Sequence, residues 1–304
     1  MQRAYISKLM ELAEKDSKVM HILADSGTGY DEMFRINFPK QIINFGISEE
    51  HMVAAAAGMA TANRIPFVYT AGAFLAYRSL EFIRDDVCFQ NLNVKVVGMG
   101  SGLAWSTLGP THHTTEDVAM LRAIPNLMIL SPATPRQVAA CVEAAYKHQG
   151  PVYIRIGMNN EKEYYEEDYT LAAGKNDILA EGGDVTVYVT GSILEEAIET
   201  VEMLKEEGIK VNLINVHTIK PFDKENVLAM AKVSRRFVTI EEHSIYGGLG
   251  SILSEIMAEE GMGIPLLRIG LKDQFAEGYG THKRVRQENA LDAKSICQKI
   301  REVL

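Results

Sequence analysis

The chain has few cysteines, no excess of positive charge and no long apolar run, and each lack removes a class of protein. Its 304 residues include only three cysteines, Cys88, Cys141 and Cys297, far apart and without CxxC spacing. No disulfide framework can be drawn through them, and reduced thiols in a cytoplasmic protein account for them, Cys297 packing in the last helix. With 31 Lys and Arg against 40 Asp and Glu, the net charge is −9, which gives no electrostatic case for nucleic acid or for an anionic membrane surface. Mean hydropathy is close to zero, and no stretch approaches the length needed to span a bilayer. The opening MQRAYISKLMELAEKDSKV carries charges throughout, so it reads as an amphipathic helix rather than a signal peptide. A soluble, cytoplasmic protein without nucleic-acid or membrane partners is the expectation.

What is present is a chain long enough for two α/β-sized domains with ample core. Apolar, β-branched runs predict strands at 19–24, 65–70, 94–98, 127–130 and 152–156, and after a gap at 185–189, 211–216, 237–240 and 266–269. Short continuous apolar strands separated by helical periods argue for parallel sheets covered on both faces. Ser48 is a natural N-cap for a helix that starts with Glu49 and Glu50 and continues into an Ala-rich run. Residues 194–207 and 293–304 show the same helical periodicity, with Ile296, Ile300, Val303 and Leu304 on one face of the last. Between the halves, residues 158–177 are acidic, Tyr-rich and without apolar periodicity, the composition of an exposed linker. The predicted division is a first domain at 1–157, a linker at 158–177 and a second domain at 178–304. No short repeat or low-complexity tract interrupts it.

Several segments carry residues suited to chemistry. GISEEHMVAAAAGMA puts two carboxylates at the start of a helix that its alanines require to be buried. Favourable placement against the helix dipole accounts for a Glu there, but the apolar Gly46–Ile47 approach also leaves one carboxylate in a dry setting. Small residues from Ala54 to Gly58 allow another helix or subunit to approach closely. In TAGAFLAYRSLEFIRDDV, Phe74, Tyr77 and Phe82 accompany Arg78 and Arg84; such aromatics serve as core or as a platform for a flat ligand. GMGSGLAWSTLGPTHHTTED delivers His112 and His113 into a loop, before a helix capped by Thr114 or Thr115. Adjacent histidines can converge only from a loop. With no further ligands at metal spacing, general acid–base work or substrate hydrogen bonding suits them. Arg155, on a strand of apolar neighbours, must meet a carboxylate or an anionic ligand; a structural ion pair and a phosphate or sulfonate site are both open. EEHSIYGGLGSIL joins a strand to a helix through a Gly-rich turn, better suited to tight packing or a subunit contact than to phosphate.

Taken together, GISEEHM, AFLAYRS, GPTHHTTEDVAMLRAIPNL, GPVYIRIG, VTGS, KPFD and EEHSIYGGLGS resemble, in order and spacing, the transketolase family of thiamine-diphosphate enzymes. More narrowly they resemble the C-terminal half of a transketolase made as a separate polypeptide. The resemblance implies an α/β fold of two doubly wound domains, a pyrimidine-binding thiamine-diphosphate domain followed by a transketolase C-terminal domain. It implies transfer of a two-carbon ketol unit between a ketose and an aldose through a thiamine-diphosphate adduct. Glu49 matches the family glutamate that hydrogen-bonds N1′ of the aminopyrimidine and favours its imino tautomer. Phe74 matches the ring packed on the aminopyrimidine. Tyr77 and Arg78 follow in approximate register, because this segment differs in length from the large transketolases. Ile47 and Asp25 fall close to the cofactor. His112, with His113 beside it, matches a histidine that hydrogen-bonds the sugar, and Arg155 matches an arginine that holds the substrate's terminal phosphate.

Departures from the pattern matter as well. Leu108 stands in place of the carboxylate that reads a sugar hydroxyl, and Gly100 where sugar-handling members carry another histidine, which points to a modified sugar. No Gly-Asp-Gly occurs in the sequence, and in the family that segment opens the domain that holds the diphosphate and Mg²⁺. The resemblance therefore implies a partner, an N-terminal diphosphate-binding subunit that supplies the Mg²⁺ site. It also implies an α2β2 heterotetramer with a homodimer contact through this chain. The same architecture serves the β subunit of 2-oxo acid dehydrogenases and, with both halves in one chain, deoxyxylulose-phosphate synthases. A non-catalytic scaffold subunit is the reading from a different class.

Overall fold

Branched apolar runs that do not alternate need cover on both faces, and the computed structural model provides it. Residues 1–25, 29–158 and 161–304 are described; Asn159 and Asn160 of the expected linker lie outside them. The first six strands are β1 (Val19–Leu23), β2 (Ile42–Asn44), β3 (Ile65–Ala71), β4 (Lys95–Met99), β5 (Met128–Leu130) and β6 (Val152–Ile156). They are followed by β7 (Asp177–Ala180), β8 (Val185–Thr190), β9 (Val211–Asn215), β10 (Thr218–Lys220), β11 (Arg236–Ser244) and β12 (Leu266–Leu271). One sheet has the order β10-β5-β6-β4-β3-β1-β2 and the other β12-β11-β8-β9-β7. Pairing is parallel except at the edges, where β10 runs antiparallel to β5 and β7 antiparallel to β9. The expected strands all form, in two mainly parallel sheets.

The structure adds β2, β7 and β10, three short strands. Residues 218–220 belong by sequence to the second half, yet β10 closes the free edge of β5 in the first sheet. Such an edge is a row of unpaired amides that must be covered.

One face of the first sheet packs on the helices Gln2–Lys15 and Pro135–Lys147, burying Tyr5, Leu9, Val138 and Cys141 against Phe67, Val97 and Ile154. The opposite face does not close on itself. Its apolar cluster runs from Ile22, Val68 and Val96 through Leu121 and Leu127 to Ile214, Phe237 and Leu249 of the second half. The two halves therefore share a core. Polar pins cross the same boundary: Arg122 Nε donates to Gly247 O at 2.6 Å, Ser244 N to Thr115 O at 2.7 Å, and Ala119 N to His243 Nε2 at 3.3 Å.

Two expected helix details differ. Ser48 does sit at the N-cap of Glu49–Thr61, but its hydroxyl turns back to donate to Phe45 O at 2.8 Å and caps no amide. The last helix, Ala293–Arg301, buries Ile296, Cys297 and Ile300 and stops before Val303 and Leu304.

Lys95, at the start of β4, is fully buried, and its ammonium donates to the carbonyls of His148 (2.8 Å) and Gly150 (2.7 Å). Burial lowers its pKa to about 7. Between about pH 7 and 10 the folded lysine is neutral while the unfolded one still binds a proton, so stability rises with pH across that window. In thermal melts the wild type should gain stability relative to Lys95→Met as pH goes from 7 to 10. A constant difference would show that Lys95 stays charged in the fold.

Candidate functional site

The site is assembled at the C-terminal ends of the first sheet's strands, where loops leave a rigid scaffold. Beyond β1, Asp25 adopts a positive φ of 50° and its N–H donates to Asn44 Oδ1 at 3.1 Å. The same oxygen accepts from Gly46 N at 2.8 Å, so Asn44 ties Asp25 to the turn that precedes Glu49. Gly46, at φ 68°, makes that turn at no steric cost. Ile47 projects outward and is exposed, while Glu49 enters the interior at 2% exposure.

The Glu49 carboxylate accepts from Arg78 Nη1 at 2.6 Å. That guanidinium is 43% exposed, and its Cζ lies 5.4 Å from the centre of the Phe74 ring. Phe74–Arg78 winds as a π-helix, as does Ile83–Cys88. A π turn takes up an extra residue within a helix, and Arg78 at the end of this one lies over Phe74 at its start. The Phe74 ring in turn meets His112 edge-on at 5.0 Å between centres, and His112 lies 6.3 Å from Trp105. Glu49, Arg78, Phe74, His112 and Trp105 thus form one continuous row.

His112 Nδ1 shares a hydrogen bond of 2.9 Å with Thr111 Oγ1, which leaves Nε2 for a ligand. His113 turns the other way and is buried, with neither ring nitrogen hydrogen-bonded among the described residues; burial pushes its pKa down. The helix that follows is Asp117–Leu121, and its N-cap is Glu116 rather than Thr114 or Thr115. Tyr77, expected among the cofactor contacts, serves this loop: its hydroxyl donates to Glu116 Oε2 at 2.6 Å and accepts from the N–H groups of Thr115 and Glu116. Leu108 is 46% exposed.

Arg155 is not brought to the site. At 2% exposure its Nε donates to Asp117 Oδ2 at 2.9 Å, and Nη2 donates to Thr114 O (2.9 Å) and Glu242 O (3.0 Å). The structural ion pair forms, so Nε and Nη2 of Arg155 are turned to protein rather than offered to a phosphate. β6 is an interior strand of the sheet, so a side chain in its middle faces packed protein. Sequence reasoning missed Asp117, Asn44 and Trp105. Asp117 and Arg155 were readable as opposite charges but not as neighbours.

The second half supports the histidine loop. Glu242 occupies the space beside Gly102, where an added Cβ would lie 2.4 Å from its Oε2, and Tyr279 does the same at Gly109 at 2.3 Å. Ser106 exchanges hydrogen bonds with Gly280. Burial raises the Glu242 carboxyl, but Arg286 and His282 outweigh it and hold the group well below the usual carboxylate range.

Removing one partner of a buried ion pair strands the other, at a cost of about 3–5 kcal/mol. Arg155→Met should therefore lower the unfolding midpoint of the chain in the absence of any ligand. An unchanged midpoint, with weakened use of phosphorylated sugars alone, would restore Arg155 to substrate binding.

Comparison with known proteins matches both halves of the chain. The transketolase pyrimidine-binding domain matches residues 1–162 and the transketolase C-terminal domain matches residues 174–296. A 6-deoxy-6-sulfo-D-fructose transketolase subunit of Clostridium sp. (strain MSTE9) is 35% identical over 98% of this chain and 92% of its own. One of the subunits of the apulose-4-phosphate transketolase of Actinobacillus succinogenes is 32% identical over 96% and 94%. A solved split-gene transketolase, described as an inactive β4 tetramer, superimposes with a TM-score of 0.91 at 33% identity, covering 99% of this chain and 97% of its own. The chain belongs to the transketolase family, and corresponds along its length to the C-terminal, pyrimidine-binding half that split members carry as a subunit.

Proposed function

We propose that this chain, together with a partner that carries the diphosphate-binding domain, transfers a two-carbon ketol unit from a ketose to an aldose with thiamine diphosphate as cofactor. The observation that carries the reading is the meeting of one guanidinium with both the buried Glu49 carboxylate and the Phe74 ring. A flat group that donates hydrogen bonds already satisfies that pair, and an aminopyrimidine has the same two properties. Glu49 would accept its hydrogen bond, Phe74 would pack on its face, and Arg78, Ile47 and Asp25 would border it. When bound, thiamine diphosphate supplies the carbanion chemistry. His112, held at Nδ1 by Thr111, would use Nε2 to orient a sugar hydroxyl.

A modified sugar as donor is supported by Leu108, which stands where a sugar-reading carboxylate would, and by the sulfo-fructose and apulose phosphate in the names of two relatives. The β4 relative described as inactive supports a chain that self-associates and needs a partner, with α2β2 the arrangement we favour. In that arrangement Mg²⁺ is held by the partner. A cytoplasmic setting is supported by three free, buried cysteines.

The first test is a tagged pull-down from the native host with thiamine diphosphate and Mg²⁺ present, followed by intact mass and cofactor content. An equimolar partner with one cofactor per pair, and ketol transfer by the complex, is the expected result. A cofactor-free chain without such a partner would leave a scaffold, and acyl transfer to a lipoyl group would make it a 2-oxo acid dehydrogenase subunit. Within the complex, Glu49→Gln should lower turnover by about 10²- to 10⁴-fold while assembly is unchanged, and near-normal turnover would refute its role. His112→Ala should weaken turnover more than cofactor binding; rates unchanged with every donor would remove it from the site.

A further inference from the structure

Arg78 stands between the two groups that an aminopyrimidine would use. Its Nη1 donates to Glu49 Oε2 at 2.6 Å, and its Cζ lies over the Phe74 ring, 5.4 Å from the centre. The guanidinium therefore lies in the space between the buried carboxylate and one face of the ring. A second flat donor that hydrogen-bonds Glu49 and packs on that face needs the same volume, and a packed site does not hold both.

The two ends of this contact are held very differently. Glu49 is 2% exposed, and among the described residues its carboxylate accepts one hydrogen bond, that from Arg78. A buried carboxylate left without a donor is costly, so Glu49 needs either this guanidinium or a substitute. Arg78 has no such need. Its side chain is 43% exposed, and among the described residues Nη1 to Glu49 is its one side-chain hydrogen bond. Water can take over the guanidinium when it leaves, so the pair is broken at small cost once Glu49 has another donor.

We propose that Arg78 is a placeholder, which occupies the aminopyrimidine's seat on Glu49 and Phe74 and is displaced when thiamine diphosphate enters. The inference rests on the ketol-transfer reading and deepens it. Cofactor loading is then an exchange of one flat donor for another. Apparent cofactor affinity is set partly by how often the guanidinium is away from its seat.

Each form is assembled with the partner subunit and Mg²⁺, and thiamine diphosphate binding is measured by equilibrium dialysis. Arg78→Leu removes the competitor. The cofactor dissociation constant should fall on the order of tenfold, the factor expected where the competent form is about a tenth of the population. Arg78→Lys keeps a cation near Glu49 but no flat group over Phe74, and should give an intermediate value. In a Glu49→Gln background the gain from Arg78→Leu should shrink, because the competitor acts through that carboxylate. The unsubstituted complex supplies a readout that serves if Arg78→Leu disturbs the fold. Phenylglyoxal should modify Arg78 faster once thiamine diphosphate is bound, scored on the Arg78 peptide by mass, since the displaced guanidinium has lost its carboxylate.

Weaker cofactor binding by Arg78→Leu would overturn the proposal and place the guanidinium beside the aminopyrimidine rather than in its seat. Unchanged binding, an equal gain in the Glu49→Gln background, or modification of Arg78 that is no faster on loading would overturn it as well. A wild-type complex that binds no thiamine diphosphate would overturn the functional reading itself, and that outcome is visible before any variant is made.

Discussion

The buried pair between Arg155 and Asp117 is the interaction on which the arrangement of the site depends. Neither side chain reaches solvent, so both have lost their hydration, a penalty that ion pairing alone does not reliably offset. Hydrogen bonds from Arg155 Nε and Nη2 and from Tyr153 offset part of it. Asp117 accepts from Arg155 Nε and from the Tyr153 hydroxyl, and Arg155 donates to the carbonyls of Thr114 and Glu242. Thr114 follows the two histidines directly, and Glu242 belongs to β11 of the second sheet. The pair therefore fixes three things at one point: the end of the histidine loop, the strand beneath it and the second half of the chain. An apolar pair of equal volume could fill the space but could not hold two carbonyls in register.

The neighbouring carboxylates Glu241 and Glu242 extend the argument. Alternation along β11 sends them to opposite faces of the strand. Glu242 meets Arg286 and His282 and is held ionised. Glu241 has His243 at 3.7 Å, an imidazole whose own pKa is lowered by burial. Burial raises the Glu241 pKa to about 7, while the N–H groups of Gly250 and Leu249 at a helix start pull the other way. Glu242 anchors the histidine loop and Glu241 anchors the helix Leu249–Glu259. The Gly-rich turn before that helix is thus explained by packing, since an added Cβ at Gly248 would lie 2.0 Å from Glu241 Oε2.

Long buried strands were legible because branched apolar runs have few other uses. The three strands that were not, β2, β7 and β10, are short edge strands of three or four residues with partly exposed positions, and pairing rather than composition makes them. Within the site, Glu49, Phe74 and His112 were legible as motif letters, and the structure sets them in one row through Arg78. That Arg78 reaches Glu49 was not legible, because the contact spans 29 residues and depends on a π winding that a 3.6-residue period conceals. Arg155 shows the limit from the other side. Its charge and apolar setting required a partner, but only the position of its strand in the sheet decides between Asp117 and a ligand.

The second half of the chain does more than cover the first. Gly102 and Gly109 lack side chains at the points where Glu242 and Tyr279 enter, and Ser106 is held by Gly280 between them. A loop braced at both ends and in the middle has little freedom to adjust to a ligand. The same bracing makes the position of the histidine loop depend on both halves. A substitution at Tyr279 or Glu242 would move Leu108, Trp105 and His112 together.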